Sequence, residues 1–158
     1  PEHHGFIAEG RSDPRPEILE RLARLIGKGG LIVSYNASFE KQRIMESCER
    51  FLRFRTLWES VSGRFVDLLE PFRSFAWYHP AQKGSASMKA VLPALTGETY
   101  SGLEIAEGGT ASREYLRVTY GDVPPPEREQ VRKRLEEYCA LDTAGMISIV
   151  EALTKAAR

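Results

Sequence analysis

The stretch GLIVSYNASFEKQRI, residues 30 to 44, constrains the fold more than any other. Its first part, Leu31 to Tyr35, is a continuous β-rich run of the kind buried on both faces of a sheet that helices flank. Phe39, Ile44, Cys48, Phe51 and Leu52 then recur at helical spacing, predicting a helix over about 38 to 54. A strand that passes directly into a helix marks an α/β layer. Asn36 and Glu40 sit at the joint. Open α/β sheets place ligands at the carboxyl ends of their strands, so a polar pair there is a candidate site. The plain alternative is an Asn that ends a strand by a local turn and a Glu favoured by the helix dipole.

Other elements follow from local signals. HHGFIAEG has an apolar centre bounded by Gly and predicts a brief strand near residues 4 to 8. Asp13 before Pro14 reads as a cap with proline at the first helical position, followed by Ile18, Leu19, Leu22, Leu25 and Ile26 at helical spacing. Gly27, Gly29 and Gly30 end that helix. RFVDLL predicts a strand at 64 to 67 that runs into a short helix through LLEPFRSF, with a loop, WYHPAQKGSAS, after it. Ser87 is placed to cap MKAVLPAL, which Gly97 ends, and a helix follows over roughly 111 to 119. Beyond DVPPPE the pattern is helical to Arg158, as one rod or as two segments meeting near Tyr138. A chain of 158 residues with this patterning is expected to form a single domain over 1–158.

The charge balance, 22 Lys and Arg against 22 Asp and Glu, leaves no general basic footprint, so any nucleic-acid contact must be local. Cys48 and Cys139 lie far apart without metal-ligand spacing and read as core thiols in a reducing, cytoplasmic setting. No run approaches the roughly 20 apolar residues of a membrane span, and no membrane partner is expected.

In YCALD, Tyr138 and Asp142 are four apart, which on a helix brings a phenol and a carboxylate onto one face with Cβ atoms about 6 Å apart. Solvent-facing pairs of this kind are also common. Lys83, in HPAQKGS, is placed to meet a phosphate or to occupy an ordinary solvated turn. Trp77 and Tyr78 could stack an unpaired base or simply pack the core. His3, His4 and His79 are adjacent in an exposed segment or alone in a loop, and are not read as ligands. The basic run ERFLRFR reads as a wet helix face.

Taken in order, YNASFE resembles the second motif of the DnaQ-like 3′ to 5′ exonucleases, Asn-x-x-Phe-Asp, and YCALD resembles their third, Tyr-x-x-x-Asp. VDLL resembles the strand-to-helix segment that follows the second motif. GSASMKAVLPAL, LEIAEGG and YCALDT together resemble a bacterial family catalogued as a domain of unknown function and grouped with those exonucleases, which carries Glu where the second motif has Asp.

What the resemblance implies is an α/β, helix-rich, RNase H-like mixed sheet flanked by helices. Its chemistry would be two-metal hydrolysis, with Mg²⁺ or Mn²⁺ ions about 3.5–4 Å apart acting on single-stranded DNA or RNA ends. Carried over, Glu40 and Asp142 become metal ligands at one site, Tyr138 orients the attacking water, and Asn36 lies behind the ligands or touches nucleic acid. The Asp-x-Glu of the first motif has no counterpart here: Glu2, Glu9 and Asp13 lack its spacing and its apolar strand. HHGFIAEGRSDPR resembles the third strand of that fold, so the first two strands are expected before Pro1, and the chain alone is expected to be inactive. The first strand would pair with LIVSY, so that edge is expected to be covered by a second copy, by the segment around Phe6 or by an upstream piece. The rival reading is a noncatalytic nucleic-acid-binding or scaffolding module of the same fold; a nuclease of structured RNA is a third.

Overall fold

The computed structural model describes residues 2–157; Pro1 and Arg158 lie outside the described residues. The chain is helix-rich with one small parallel sheet, consistent with an α/β class. Seven α-helices are present among the described residues: α1 (Arg15–Ile26), α2 (Ala37–Arg50), α3 (Arg55–Val61), α4 (Glu70–Arg73), α5 (Met88–Thr96), α6 (Gly108–Tyr120) and α7 (Pro125–Ala156). Two strands, β1 (Ile32–Ser34) and β2 (Phe65–Asp67), pair in parallel with Ile32 opposite Phe65, Val33 opposite Val66 and Ser34 opposite Asp67. Parallel neighbours need a long crossover, and α2, a 3-10 turn at Leu52–Phe54 and α3 supply it.

The fold divides into two compact units, one of the residues up to Pro14 with Glu98–Gly145, the other of Arg15–Gly97 with the residues from Met146 on. In the strand-bearing unit Leu19, Cys48 and Phe54 are buried, with Ile44, Phe51, Leu57 and Trp58 packed against them. Sealing Leu19 from water contributes about 1.5–3 kcal/mol. Its loop between α1 and β1 is held by Arg64, whose guanidinium donates to the carbonyls of Ile26, Gly27, Gly29 and Gly30. One side chain thereby satisfies the helix end and the turn that launches β1.

In the other unit Ile105, Val118, Val123, Val131 and Leu135 form the core, with Ile7, Tyr115 and Tyr138 against it. There too an arginine ties down backbone. Arg132 donates to the carbonyls of Ile7 at 2.7 Å and Ala8 at 2.9 Å and ion-pairs with Glu9.

Several expectations are corrected. Residues 4 to 8 form no strand, because carbonyls that a ladder would use accept from Arg132 instead. The LIVSY run gives only a three-residue strand, and it is not buried on both faces: Val33 is 39% exposed and Leu31 73%. Among the described residues the sheet has two strands, both parallel, so β1's other edge has no strand neighbour. The helix expected over 38–54 ends at Arg50, where Phe51 leaves helical geometry before the 3-10 turn. Ser87 sits at the N-terminus of α5 without a side-chain cap bond, its hydroxyl accepting from Ser85 at 3.0 Å. Cys48 is buried as expected, but Cys139 is exposed on α7. The last pattern resolves as one helix, and α6 starts earlier than expected, at Gly108. No helix among the described residues is long and apolar enough to cross a membrane.

Candidate functional site at the strand ends and on the last helix

In the strand-bearing unit, β1 ends at Ser34 and the chain turns into α2 through Tyr35 and Asn36. Asn36 takes the left-handed conformation, φ 67°, which Asn tolerates better than most residues. Its backbone N–H donates to Asp67 Oδ1 at 2.8 Å, and its side-chain oxygen accepts from Ser38 Oγ at 3.0 Å. Asp67, the last residue of β2, also accepts from Leu69 N–H on the same oxygen at 2.9 Å. One carboxylate thus fixes the turns leaving both parallel strands. Ser34 and Asp67 being opposite in register is what makes this reach possible.

Glu40 lies in the first turn of α2. Its Oε2 is sealed from solvent and has no hydrogen-bond partner among the described residues, and the same is true of Ser34 Oγ. Buried polar atoms are nearly always paired, because losing water without replacement costs about 1–3 kcal/mol. A carboxylate oxygen in this condition is a hard donor with an open lone pair, the chemistry that Mg²⁺ or Mn²⁺ takes up. Tyr35, which follows Ser34 in the chain, donates to Ala86 O at 2.6 Å, and burial, then the Asp67 charge, pushes its phenol well above its ordinary range.

The loop after α4 contains Lys83, exposed and left-handed at φ 50°, just past a 3-10 turn that His79 and Gln82 cap reciprocally. Trp77 is half-buried, its ring edge-on to Phe72 at 5.6 Å and stacked on His79 at 6.4 Å, whereas Tyr78 is exposed.

Tyr138 and Asp142 belong to the other unit, one turn apart on α7. One turn apart on the helix, the Tyr138 phenol and the Asp142 carboxylate interact electrostatically. Burial first, then the charge of Asp142, push this phenol well above its ordinary value, so it stays neutral and acts as a hydrogen-bonding group. Asp142 Oδ1 also accepts from Tyr100 Oη at 2.7 Å, and the two tyrosine rings lie 6.3 Å apart. The first turn of α6 comes close: a Cβ at Gly108 would sit 3.8 Å from Tyr138 Oη. Glu40 belongs to one unit and the Tyr138–Asp142 pair to the other.

Two residues escaped sequence reasoning. Asp67 had a usable signal, a carboxylate closing a strand parallel to β1. Tyr100 had none, since it lies in an irregular stretch and reaches Asp142 only through the tertiary fold. Among the described residues, no group of three or more His, Cys, Asp or Glu side chains is placed to hold a metal ion.

A family model described as Domain of unknown function (DUF2779) matches residues 1–87, more than half of the 158, and the chain belongs to that family. The matched part contains Asn36, Glu40 and Lys83; Tyr138 and Asp142 lie beyond it. No curated protein and no solved structure matches the chain.

Proposed function

We propose that this member of the DUF2779 family is the RNase H-like part of a metal-dependent 3′ to 5′ exonuclease that acts on single-stranded DNA or RNA ends. The observation that carries the reading is the orphaned oxygen of Glu40, buried in the first turn after a parallel strand. Supporting it are the order of the two motif-like segments, YNASFE and YCALD, and the phenol–carboxylate pair that the second forms.

In this reading Glu40 and Asp142 are carboxylate ligands. Bound Mg²⁺ or Mn²⁺ would supply a water activated for attack and charge stabilisation at the leaving oxygen. The chain's own residues do the rest. Tyr138, kept neutral, presents a hydroxyl that can orient a water, and Tyr100 holds the Asp142 carboxylate in place. Asp67 fixes the turn that carries Asn36 into α2, and with it the position of Glu40. The open edge of β1, where Leu31 and Val33 are exposed, is where a further strand bearing an Asp-x-Glu pair, or a second copy of the chain, would add.

Digestion of end-labelled oligonucleotides by the full-length protein tests the proposal. Mg²⁺-dependent shortening from the 3′ end is expected, abolished by Asp142→Asn and by Glu40→Gln and only slowed by Tyr138→Phe. A neutral amide fills the same space but is a far weaker ligand. Wild-type rates in Asp142→Asn would refute the ligand role. Binding of oligonucleotides with no hydrolysis in any metal would establish the noncatalytic module instead.

A further inference from the structure

The loop between α4 and α5 carries an exposed aromatic pair held in an unfavourable backbone. Phe75 follows α4 in the left-handed conformation, φ 56°, at the position past a helix end where glycine is the usual residue. Phe75 is 66% exposed and Tyr78 45%, and their ring centroids lie 5.7 Å apart. Neither residue is among the buried hydrophobics of the described residues.

The chain on either side of the pair is tied down. Trp77 N–H donates to Pro71 O at 3.0 Å, Trp77 packs edge-on against Phe72, and Phe72 stacks with Tyr35 at 6.3 Å. Tyr35 in turn donates to Ala86 O, near the far end of the loop. The loop is thereby fastened at both ends to the carboxyl end of β1, where Asn36 and Glu40 begin α2.

Charge indicates what the pair would meet. In a chain with as many acids as bases, residues 71–97 hold Arg73, Lys83 and Lys89 and no Asp or Glu; Arg73 pairs with Glu70 at 3.5 Å, and Lys83 is exposed in the loop itself. An exposed aromatic surface with an exposed lysine in the same loop suits a ligand with flat apolar faces joined by anionic links, and a single-stranded nucleic acid is such a ligand.

We propose that Phe75 and Tyr78 form a stacking platform for an unpaired nucleobase, with Lys83 meeting a phosphate of the same strand. The proposal rests on the nucleic-acid reading above and adds the place where the strand is held. Base-on-aromatic stacking accepts any base, so the platform selects single strands over duplex without reading sequence.

The test measures fluorescence anisotropy of labelled oligo-dT, oligo-U and a duplex of equal length with the 158-residue chain in EDTA. Phe75→Gly removes the ring while relieving the backbone, so its thermal midpoint should be unchanged or higher. Phe75→Gly and Tyr78→Ala should each weaken single-strand binding about tenfold. Lys83→Gln should flatten the salt dependence by about 0.7 in the logarithmic slope. Leu116→Ala, removing a residue 54% exposed in the other unit, should change nothing. The platform is overturned if the wild-type chain binds no single strand, if both ring variants bind like wild type, or if Phe75→Gly changes only self-association in sedimentation. Digestion by the full-length protein separates the two readings. Unchanged kcat/KM in the ring variants removes the platform and leaves the nuclease, whereas lost binding in those variants with no wild-type digestion leaves the platform and removes the nuclease.

Discussion

Glu40 and Asp142 are both half-buried helix carboxylates, and the chain treats them in opposite ways. Asp142 is answered from within: Tyr100 donates to it at 2.7 Å, and the Tyr138 phenol lies within reach of its charge. Glu40 keeps one oxygen sealed from water and unanswered. Hydrogen bonds to a charged group contribute about 1.5–3 kcal/mol, while an unanswered buried polar atom costs about 1–3 kcal/mol. Asp142 therefore supports its unit whatever else it does. Glu40 weakens its own unit unless something outside the side-chain inventory takes up its oxygen, and a cation is the partner that its chemistry suits.

The largest effect expected from this contrast is on Asp142→Ala, which strips the Tyr100 phenol of its acceptor and removes the charge facing the Tyr138 phenol. Denaturant unfolding followed by circular dichroism should show about 2–4 kcal/mol lost. A loss under about 0.5 kcal/mol would mean the Tyr100 phenol finds another partner and the contrast is false. Next comes Asp67→Ala, which releases the N–H groups of Asn36 and Leu69 and should cost about 1–2 kcal/mol. Trp58 and Trp77 both lie in the strand-bearing unit, so tryptophan fluorescence reads this loss directly.

Glu40→Gln, without metal, should fall within about 0.5 kcal/mol of wild type or above it, since it removes a buried charge and breaks no hydrogen bond of Oε2. If it proved as costly as Asp142→Ala, the Glu40 oxygen would have a partner after all. Adding Mg²⁺ to the full-length protein should raise the thermal midpoint of wild type and not of Glu40→Gln. The smallest effect is alkaline. The Tyr138 phenol is pushed above its ordinary value of 10.0, so the folded chain holds that proton more tightly than the unfolded one. Stability is then complete below about pH 10 and falls as pH rises past it, and Tyr138→Phe should make that fall shallower.

Local chemistry made much of the fold legible. Helix α1 begins and ends where a proline start and a Gly-rich stop place it, and α5 ends at Gly97 in the left-handed conformation. The pairing of Tyr138 with Asp142 follows from a helical spacing of four, which needs no tertiary information. By contrast, the strand expected at residues 4 to 8 failed because a short apolar run carries no record of its partner. Its carbonyls went to Arg132, more than a hundred residues away in sequence. Cys139 shows the same limit on a helix, where composition suggested a core thiol and the packed face chose Val131 and Leu135.

The sequence by itself determined that β1 runs into α2 and that Asn36 and Glu40 stand at that junction, because strand and helix periods are read from neighbours a few residues apart. It likewise placed Tyr138 and Asp142 on one helical face. Only the tertiary structure decided which carboxylates are satisfied. That Asp67 clasps Asn36, that Tyr100 reaches Asp142 and that no described residue hydrogen-bonds Glu40 Oε2 depends on which distant backbone and side chains are brought together. Hydrogen bonding acts over about 3 Å in space and is indifferent to separation along the chain.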